Sequence, residues 1–464
     1  MTNSTATQRW VLGLSALASF MVVLDMLVVA TALTTIQQDL GASLADLEWT
    51  VNAYVLSFAV LLMTGAAMGD RFGRRRMFVA GLGLFAVASA ACALASSVGA
   101  LIAARTVQGA GAALIMPLAL ALMNAAFPPE RRGWAIGIYG GVTGLAATLG
   151  PLIGGAVTQG VAWEWIFWLN VPIGLVAIPL VLARTPESHG PRGSFDLPGT
   201  TLAAAAAGGL VWGLISGNTA GWTSARTTVP LVVGAVALAL FVVVERRAGT
   251  PMLPLRLFGS RSFSAGNAAI FFLNAALTGV IFFTAQFFQT ASGDGPLEAG
   301  LRLLPFGVMP LVIGPRAGAL ADRFGERTLI LAGTLAVVVG MALMAFAAAP
   351  GVAYAWLVVP MTLVGVGIAL AIPAMTRAVV SRVTPADMAK ASGTFSTLRQ
   401  LGGAFGVAAT GAVFAATGSH RSAEAFADGY VPVLVAATAL AFAATVTGLR
   451  LPDRHGATRT RVAR

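Results

Sequence analysis

Gly69-Asp70-Arg71-Phe72-Gly73-Arg74-Arg75-Arg76 returns 252 residues later as Ala321-Asp322-Arg323-Phe324-Gly325-Glu326-Arg327-Thr328. Two more stretches recur in the same order. GAGAALIMP at 109–117 returns as GVGIALAIP at 365–373, and the segment starting at Pro129 and ending at Gly137 returns between Pro385 and Gly393, both at an offset of 256. Three matches in one order mark a direct internal repeat, so the chain is two related halves.

The repeat is spaced by apolar runs. A helix needs about 20 apolar residues to cross the hydrocarbon core of a bilayer. Fourteen runs qualify: 11–35, 49–68, 77–97, 101–124, 134–157, 165–183, 198–216, 229–244, 265–288, 303–321, 328–348, 355–375, 393–416 and 430–449. The repeated segments lie eight runs apart, which gives six runs, two inserted runs and six more. The even offset keeps both halves parallel, as in repeats related by an axis along the membrane normal. The expected fold is an all-α membrane protein with 14 transmembrane helices. Its parts are a cytoplasmic N-terminus (1–10), an N-terminal six-helix bundle (11–185), two inserted central helices (198–246), a C-terminal six-helix bundle (264–449) and a basic cytoplasmic tail (450–464).

Composition agrees. The chain has 464 residues, 57% hydrophobic and 10% charged, where a soluble domain carries about 25% charged residues. With the N-terminus inside, 23 of the 29 Lys and Arg fall on cytoplasmic segments, among them Arg71, Arg74, Arg75, Arg131, Arg132, Arg246, Arg247 and Arg323. The expected external loops hold acids instead: Asp39, Asp46, Glu48, Asp294 and Glu298. This bias predicts both termini in the cytoplasm and a place in the cell membrane. The net charge of +11 then reads as topology plus contact with anionic lipid headgroups rather than nucleic-acid binding, because the arginines are scattered over short loops. The first run is too long and too well followed by others to be a cleavable signal. Cys92 is the single cysteine, so no intrachain disulfide forms. Walker, H-E-x-x-H, C-x-x-C and G-x-S-x-G patterns are missing from the sequence, so neither ATP-driven nor enzymatic chemistry has residues to carry it. No metal site and no cofactor are expected.

Asp25 stands in the middle of the first run, at VVLDMLVVA. A carboxylate at that depth costs several kcal/mol unless it faces water or a partner, so it reads as functional. The three histidines, His189, His420 and His455, fall outside the apolar runs. Arg105 enters the fourth run from the external side by about 10 Å, and Asp25 lies about 15 Å from the external end of the first, at 1.5 Å per residue. The two are able to share a cavity. The repeat counterpart of Arg105 is Met361, so packing alone does not require the arginine. A second reading of Arg105 is a side chain that satisfies the carbonyls of a kinked helix.

With these features in place the chain resembles the major facilitator superfamily, in its fourteen-helix drug:proton antiporter branch. Three motifs carry the likeness. Asp70, Arg71, Gly73, Arg74 and Arg75 match G-x-L-x-D-R-x-G-R-[RK]-[RK], with Ala66 for the first glycine, and Asp322, Arg323 and Gly325 form a second copy in which Glu326 replaces an arginine. Arg105, Gln108, Gly109 and Gly111 match R-x-x-Q-G-x-G. Gly150, Pro151, Gly154 and Gly155 match the antiporter element G-x-x-x-G-P-x-x-G-G, with Ala146 at its head. Softer matches are Trp163-Glu164-Trp165-Ile166-Phe167 with Asn170-Val171-Pro172, where Glu164 replaces the usual arginine, and Arg399-Gln400-Leu401-Gly402-Gly403. The resemblance implies that the Asp70 loop acts as a conformational latch and that the Gly150–Pro151 element marks exporters. A solvated topology loop and an ordinary small-residue interface are the plainer readings of the same residues.

The ninth run carries Asn267, Phe271, Asn274, Thr278, Phe282 and Gln289 near one face. They suit a flat amphipathic ligand; hydrogen bonding between helices is the equal alternative. Met21, Tyr54 and Gln108 complete the expected cavity. The resulting expectation is a proton-coupled exporter of small amphipathic molecules working by alternating access. Its partners are a small-molecule substrate and protons, and it is a monomer. Asp25 would bind substrate or proton exclusively. The alternatives are a proton-coupled importer of a specific solute on the same fold, and a membrane sensor or channel without coupling.

Overall fold

A computed structural model describes residues 5–190, 196–249, 251, 253, 255–380, 383 and 387–452. Most of the basic tail lies outside these residues. The described chain is helical: α1 (Thr5–Leu40), α2 (Leu44–Phe72), α3 (Arg74–Ala93), α4 (Val98–Ala126), α5 (Pro129–Gly160), α6 (Trp165–Trp168), α7 (Asn170–Arg184), α8 (Leu197–Ala220), α9 (Ala225–Arg247), α10 (Arg261–Thr290), α11 (Pro296–Arg302), α12 (Leu304–Phe324), α13 (Glu326–Ala347), α14 (Tyr354–Val380), α15 (Met388–Thr417) and α16 (Ala423–Leu449). Among the described residues, 14 spans are long and apolar enough to cross a membrane. α6 and α7 together make one span, Trp165–Arg184, interrupted at Leu169. The stretch Pro296–Gly314 makes another and is interrupted at Leu303. Each break falls just before a proline, Pro172 or Pro305, which lacks the N–H that would tie it to the preceding turn.

The chain forms two compact units. The first comprises Met1–Met252 and Phe288–Leu304, and the second Leu253–Phe287 and Pro305–Arg464. In the first unit, small residues bring helices to backbone contact, as expected where lipid supplies no hydrophobic force between helices. A Cβ on Gly109 of α4 would stand 2.3 Å from the Tyr54 carbonyl of α2, so glycine is required for the α2–α4 approach. α5 meets α1 in the same manner: a Cβ on Gly154 would stand 2.4 Å from the Val28 carbonyl. α8 docks on α2 through a Trp49–Trp212 ring contact at 5.3 Å and a Thr64–Thr200 hydroxyl bond at 2.9 Å. α9 leaves Val229, Val232, Val233 and Val236 exposed, a surface suited to lipid.

The second unit repeats the approach of α4 to its neighbours. A Cβ on Gly365 of α14 would stand 2.6 Å from the Pro305 carbonyl of α12, and one on Gly367 would stand 2.5 Å from the Gly333 carbonyl of α13. The turns between paired helices repeat as well. Gly73 and Gly325 have φ of 108° and 85°, a region that favours glycine.

The loop expectation is corrected for four of the five acids: Asp39 ends α1, Asp46 and Glu48 lie in α2 and Glu298 in α11, which leaves Asp294 between helices. Ser43 caps α2, accepting from the Asp46 N–H, while the Asp46 carboxylate accepts from the Ser43 N–H at 2.9 Å. This reciprocal cap starts the helix at Leu44, and Glu48 sits in its second turn, buried.

Candidate functional site

Asp25 and Arg105 do more than share a cavity: they form a direct ion pair. Arg105 Nη1 lies 2.5 Å from Asp25 Oδ2, and both side chains are at most 1% exposed. Six further residues surround the pair. Gln108 Nε2 and Asn170 Nδ2 each donate to Asp25 Oδ1 at 2.8 Å. Arg105 Nη1 also donates to Gln108 Oε1 at 2.8 Å, and Arg105 Nε donates to the Thr50 carbonyl at 3.3 Å. The guanidinium lies over the Tyr54 ring at 4.2 Å and near the Phe167 ring at 5.7 Å. Asn170 Nδ2 is held by Ser89 Oγ at 3.0 Å, and Ser89 Oγ donates to the Phe167 carbonyl at 2.8 Å.

The helices place these groups for simple reasons. Gly109, next to Gln108, lets α4 close on α2, so Arg105 one turn earlier reaches the Thr50 carbonyl and the Tyr54 ring. Gly150 and Gly154 press α5 against Leu27 and Val28, one turn or less from Asp25. The Gly150–Gly154 stretch therefore holds α5 in close contact with the helix that carries the acid. Asn170 opens α7 directly after the Leu169 break, which lets an amide at a helix start point at the carboxylate.

Chemically the cluster is closed. A buried charge pair holds when its remaining lone pairs and protons are met by other hydrogen bonds, and Asp25 accepts three donors from three side chains. A proton on the carboxyl turns an acceptor into a donor facing N–H groups. A proton on Oδ2 would oppose the Arg105 contact, while Oδ1 would remain an acceptor for Gln108 and Asn170.

Among the expected cavity residues, Met21, Tyr54 and Gln108 are fully buried. Tyr54 donates to the Val22 carbonyl at 3.2 Å, and Gln108 belongs to the ion cluster. On α10, Asn267 and Phe282 are buried, whereas Phe271, Asn274 and Thr278 share a half-buried face. Asn274 Nδ2 donates to the Arg399 carbonyl of α15 at 2.8 Å and to Thr278 Oγ1 at 3.4 Å; Phe271 meets Phe405 at 5.8 Å. Gln289 stands apart: it belongs to the first unit, donates to the Thr31 carbonyl at 3.1 Å and accepts from the Thr34 hydroxyl.

In the latch loop, Asp70 pairs with Arg74 at 2.8 Å within its own turn. Glu187 accepts from the Arg75 and Arg76 N–H groups at 2.9 and 3.3 Å, capping the start of α3. Arg71 lies over the Phe72 ring at 5.6 Å, and its counterpart Arg323 over Phe324 at 5.1 Å. The side chain of Asp322 lies outside the described residues.

Sequence reasoning singled out neither Asn170 as a ligand of Asp25 nor Glu187 as a cap. Asn170 was visible only as part of a softer family match. A lone amide beside a proline inside an apolar run was the signal available.

The chain resembles known proteins over most of its length. The sequence profile of the Major Facilitator Superfamily matches residues 15–407. The chain is 37% identical over 459 residues to the tetracenomycin C resistance and export protein of Streptomyces glaucescens, covering 96% of this chain and 84% of that one. It is 34% identical over 459 residues to a methylenomycin A resistance protein of Bacillus subtilis (strain 168), covering 98% and 97%. Among solved structures, the nucleoside transporter NupG superposes with a TM-score of 0.65 at 14% identity, covering 94% of this chain and 99% of that one, a likeness of fold. The repeat, the 14 spans and the profile agree, and the chain belongs to the Major Facilitator Superfamily of membrane transporters.

Proposed function

We propose that this chain is a proton-coupled exporter of small amphipathic molecules, such as antibiotics, drugs or the cell's own metabolites, and that Asp25 is the coupling carboxyl. The observation that carries the reading is the buried Asp25–Arg105–Gln108–Asn170 cluster, built around a carboxylate whose charge a single proton would cancel. The names of the relatives, resistance and export proteins for tetracenomycin C and methylenomycin A, support the cargo class and the outward direction.

In this reading, a proton on Asp25 Oδ2 removes the charge that holds Arg105, while Oδ1 stays an acceptor for Gln108 and Asn170. α1 is then less tightly tied to α4 and shifts against it. Deprotonation on the other side restores the pair. The driving force suffices: one proton supplies about 1.4 kcal/mol per pH unit and about 2.3 kcal/mol per 100 mV, together a few hundredfold in cargo concentration. The half-buried Phe271–Asn274–Thr278 face of α10 is the proposed cargo-facing surface, flat rings with few polar anchors. Asp70, Arg71, Gly73, Arg74 and Arg75, with Asp322, Arg323 and Gly325, are the proposed latch. The orientation with both termini cytoplasmic, contact of the arginine loops with anionic headgroups, and a monomeric state belong to the same reading.

The test is pH-driven ethidium transport in proteoliposomes by wild type and Asp25→Asn. The variant is expected to fold, elute as wild type and lose pH-driven accumulation. Full pH-driven efflux by Asp25→Asn would remove Asp25 from the coupling role.

A further inference from the structure

α2 has two polar faces, and only one of them belongs to the ion cluster. The Thr50 carbonyl and Tyr54 are engaged by Arg105. Glu48 and Asn52, one turn apart and stacked on another face, are 3% and 0% exposed. Glu48 Oε2 and both Asn52 Oδ1 and Nδ2 are buried without a hydrogen-bond partner among the described residues. Buried polar atoms are nearly always satisfied, so three orphans on two neighbouring side chains mark a place for a further polar partner.

Among the described residues of the first unit, no protein charge meets these atoms. The helices packed on α2 within the first unit are α1, α3, α4 and α8. Their charged groups are Arg9, Asp25 and Asp39 on α1, Arg74, Arg75 and Arg76 on α3, and Arg105 on α4, while α8 has none. Cys92 on α3 and, on α2 itself, Asp46, Tyr54, Asp70 and Arg71 are the other ionisable groups. Among the described residues, none of them bonds to Glu48 Oε2. Arg105 is committed to Asp25.

A carboxyl and a carboxamide side by side offer oxygen acceptors and one N–H donor. That set fits a small cation bearing its own protons. We propose that Glu48 and Asn52 form a second cation-binding position of the transporter, separate from Asp25, which takes a proton or the protonated amine of a cargo. When an ammonium group arrives, the Glu48 carboxyl releases H⁺ and the carboxylate pairs with the incoming N–H⁺, so one positive charge replaces another. The proposal rests on the transporter reading but not on the role of Asp25.

The experiment uses the purified full-length chain. Dicyclohexylcarbodiimide captures protonated carboxyl groups in apolar surroundings as a stable adduct, read by peptide mass spectrometry. In Asp25→Asn the adduct is expected on Glu48, and it is expected to disappear in Asp25→Asn/Glu48→Gln and to weaken in Asn52→Leu. Octylamine, protonated and rich in N–H, protects Glu48 if amines bind there; tetraphenylphosphonium, a cation without donors, does not. In proteoliposomes carrying the native Asp25, Glu48→Gln tests the proton source directly. If Glu48 carries a second proton, the steady-state ethidium gradient falls about tenfold at a pH difference of one unit. A tenfold fall supports the proton as ligand, and octylamine protection without that fall supports the amine. No adduct on Glu48, or an adduct that neither octylamine nor raised pH suppresses together with an unchanged gradient, overturns the proposal. Failure of the Asp25 reading is separately visible as full transport by Asp25→Asn.

Discussion

Gly109 and Gly111 on α4 press against the backbones of α2 and α3; 256 residues later, Gly365 and Gly367 on α14 press against α12 and α13. The scaffolds correspond glycine for glycine. The side chains between them do not. Where α4 carries Arg105 and Gln108, α14 carries Met361 and Val364, and all four are buried. The fold therefore packs this position equally with hydrocarbon. An arginine there is not required by the packing, which fits the proposed coupling role of its pair with Asp25.

Arg105→Met, which copies the other half's residue, tests that contrast most severely. It leaves Asp25 as an unpaired buried charge, and breaking such a pair costs about 3–5 kcal/mol. The expected result is a lower unfolding temperature in detergent and loss of transport. Asp25→Asn/Arg105→Met is expected to regain most of the stability and none of the transport. If the double variant stays as unstable as the single one, the cluster is architectural after all.

Gly109→Val and Gly365→Val probe the shared scaffold. Overpacking costs about 1–3 kcal/mol or more where backbone blocks the way, and both helices face backbone. The two variants are expected to lose stability by similar amounts in thermal-shift measurements. A large effect at Gly109 with none at Gly365 would show that the two scaffolds are not equivalent.

The smallest effect belongs to the second unit's own polar group. His420 Nε2–H donates to Gln286 Oε1 at 2.9 Å, and its ring lies 5.2 Å from both Phe414 and Phe426. Burial pulls the His420 pKa below its ordinary 6.5. The unfolded chain then takes up the proton first. His420 leaves stability intact above pH 6.5 and erodes it as pH falls through the lowered folded value. His420→Gln is expected to lose less unfolding temperature than wild type between pH 7.5 and 5.5. Equal losses would mean the ring is not held neutral.

Most of the fold was legible because membrane thickness imposes run length: each expected run overlaps one of the 14 spans. The helix ends were not legible from hydropathy. Glu48 precedes the apolar run that begins at Trp49 and stands near Asp46, so it read as a loop. The Ser43–Asp46 cap that starts α2 earlier is a local hydrogen-bond pattern, invisible to an apolar count. The Asp25–Arg105 pairing was approached through depth alone. Asn170 was missed as a ligand because its reach depends on the break at Leu169, a backbone event. The stretch Phe288–Leu304 reads from its charges and glycines as a connection between apolar runs, but nothing in those residues tells that it joins the first unit.

Cys92 has a practical use. Its thiol sits buried, with Sγ 3.6 Å from Gln108 Oε1, and the sequence has one cysteine. The natural chain is thus already a single-thiol reporter, with no background to engineer away. The alkylation rate of that sulfur by a small maleimide, followed over a turnover cycle, would time each moment when water enters beside the arginine.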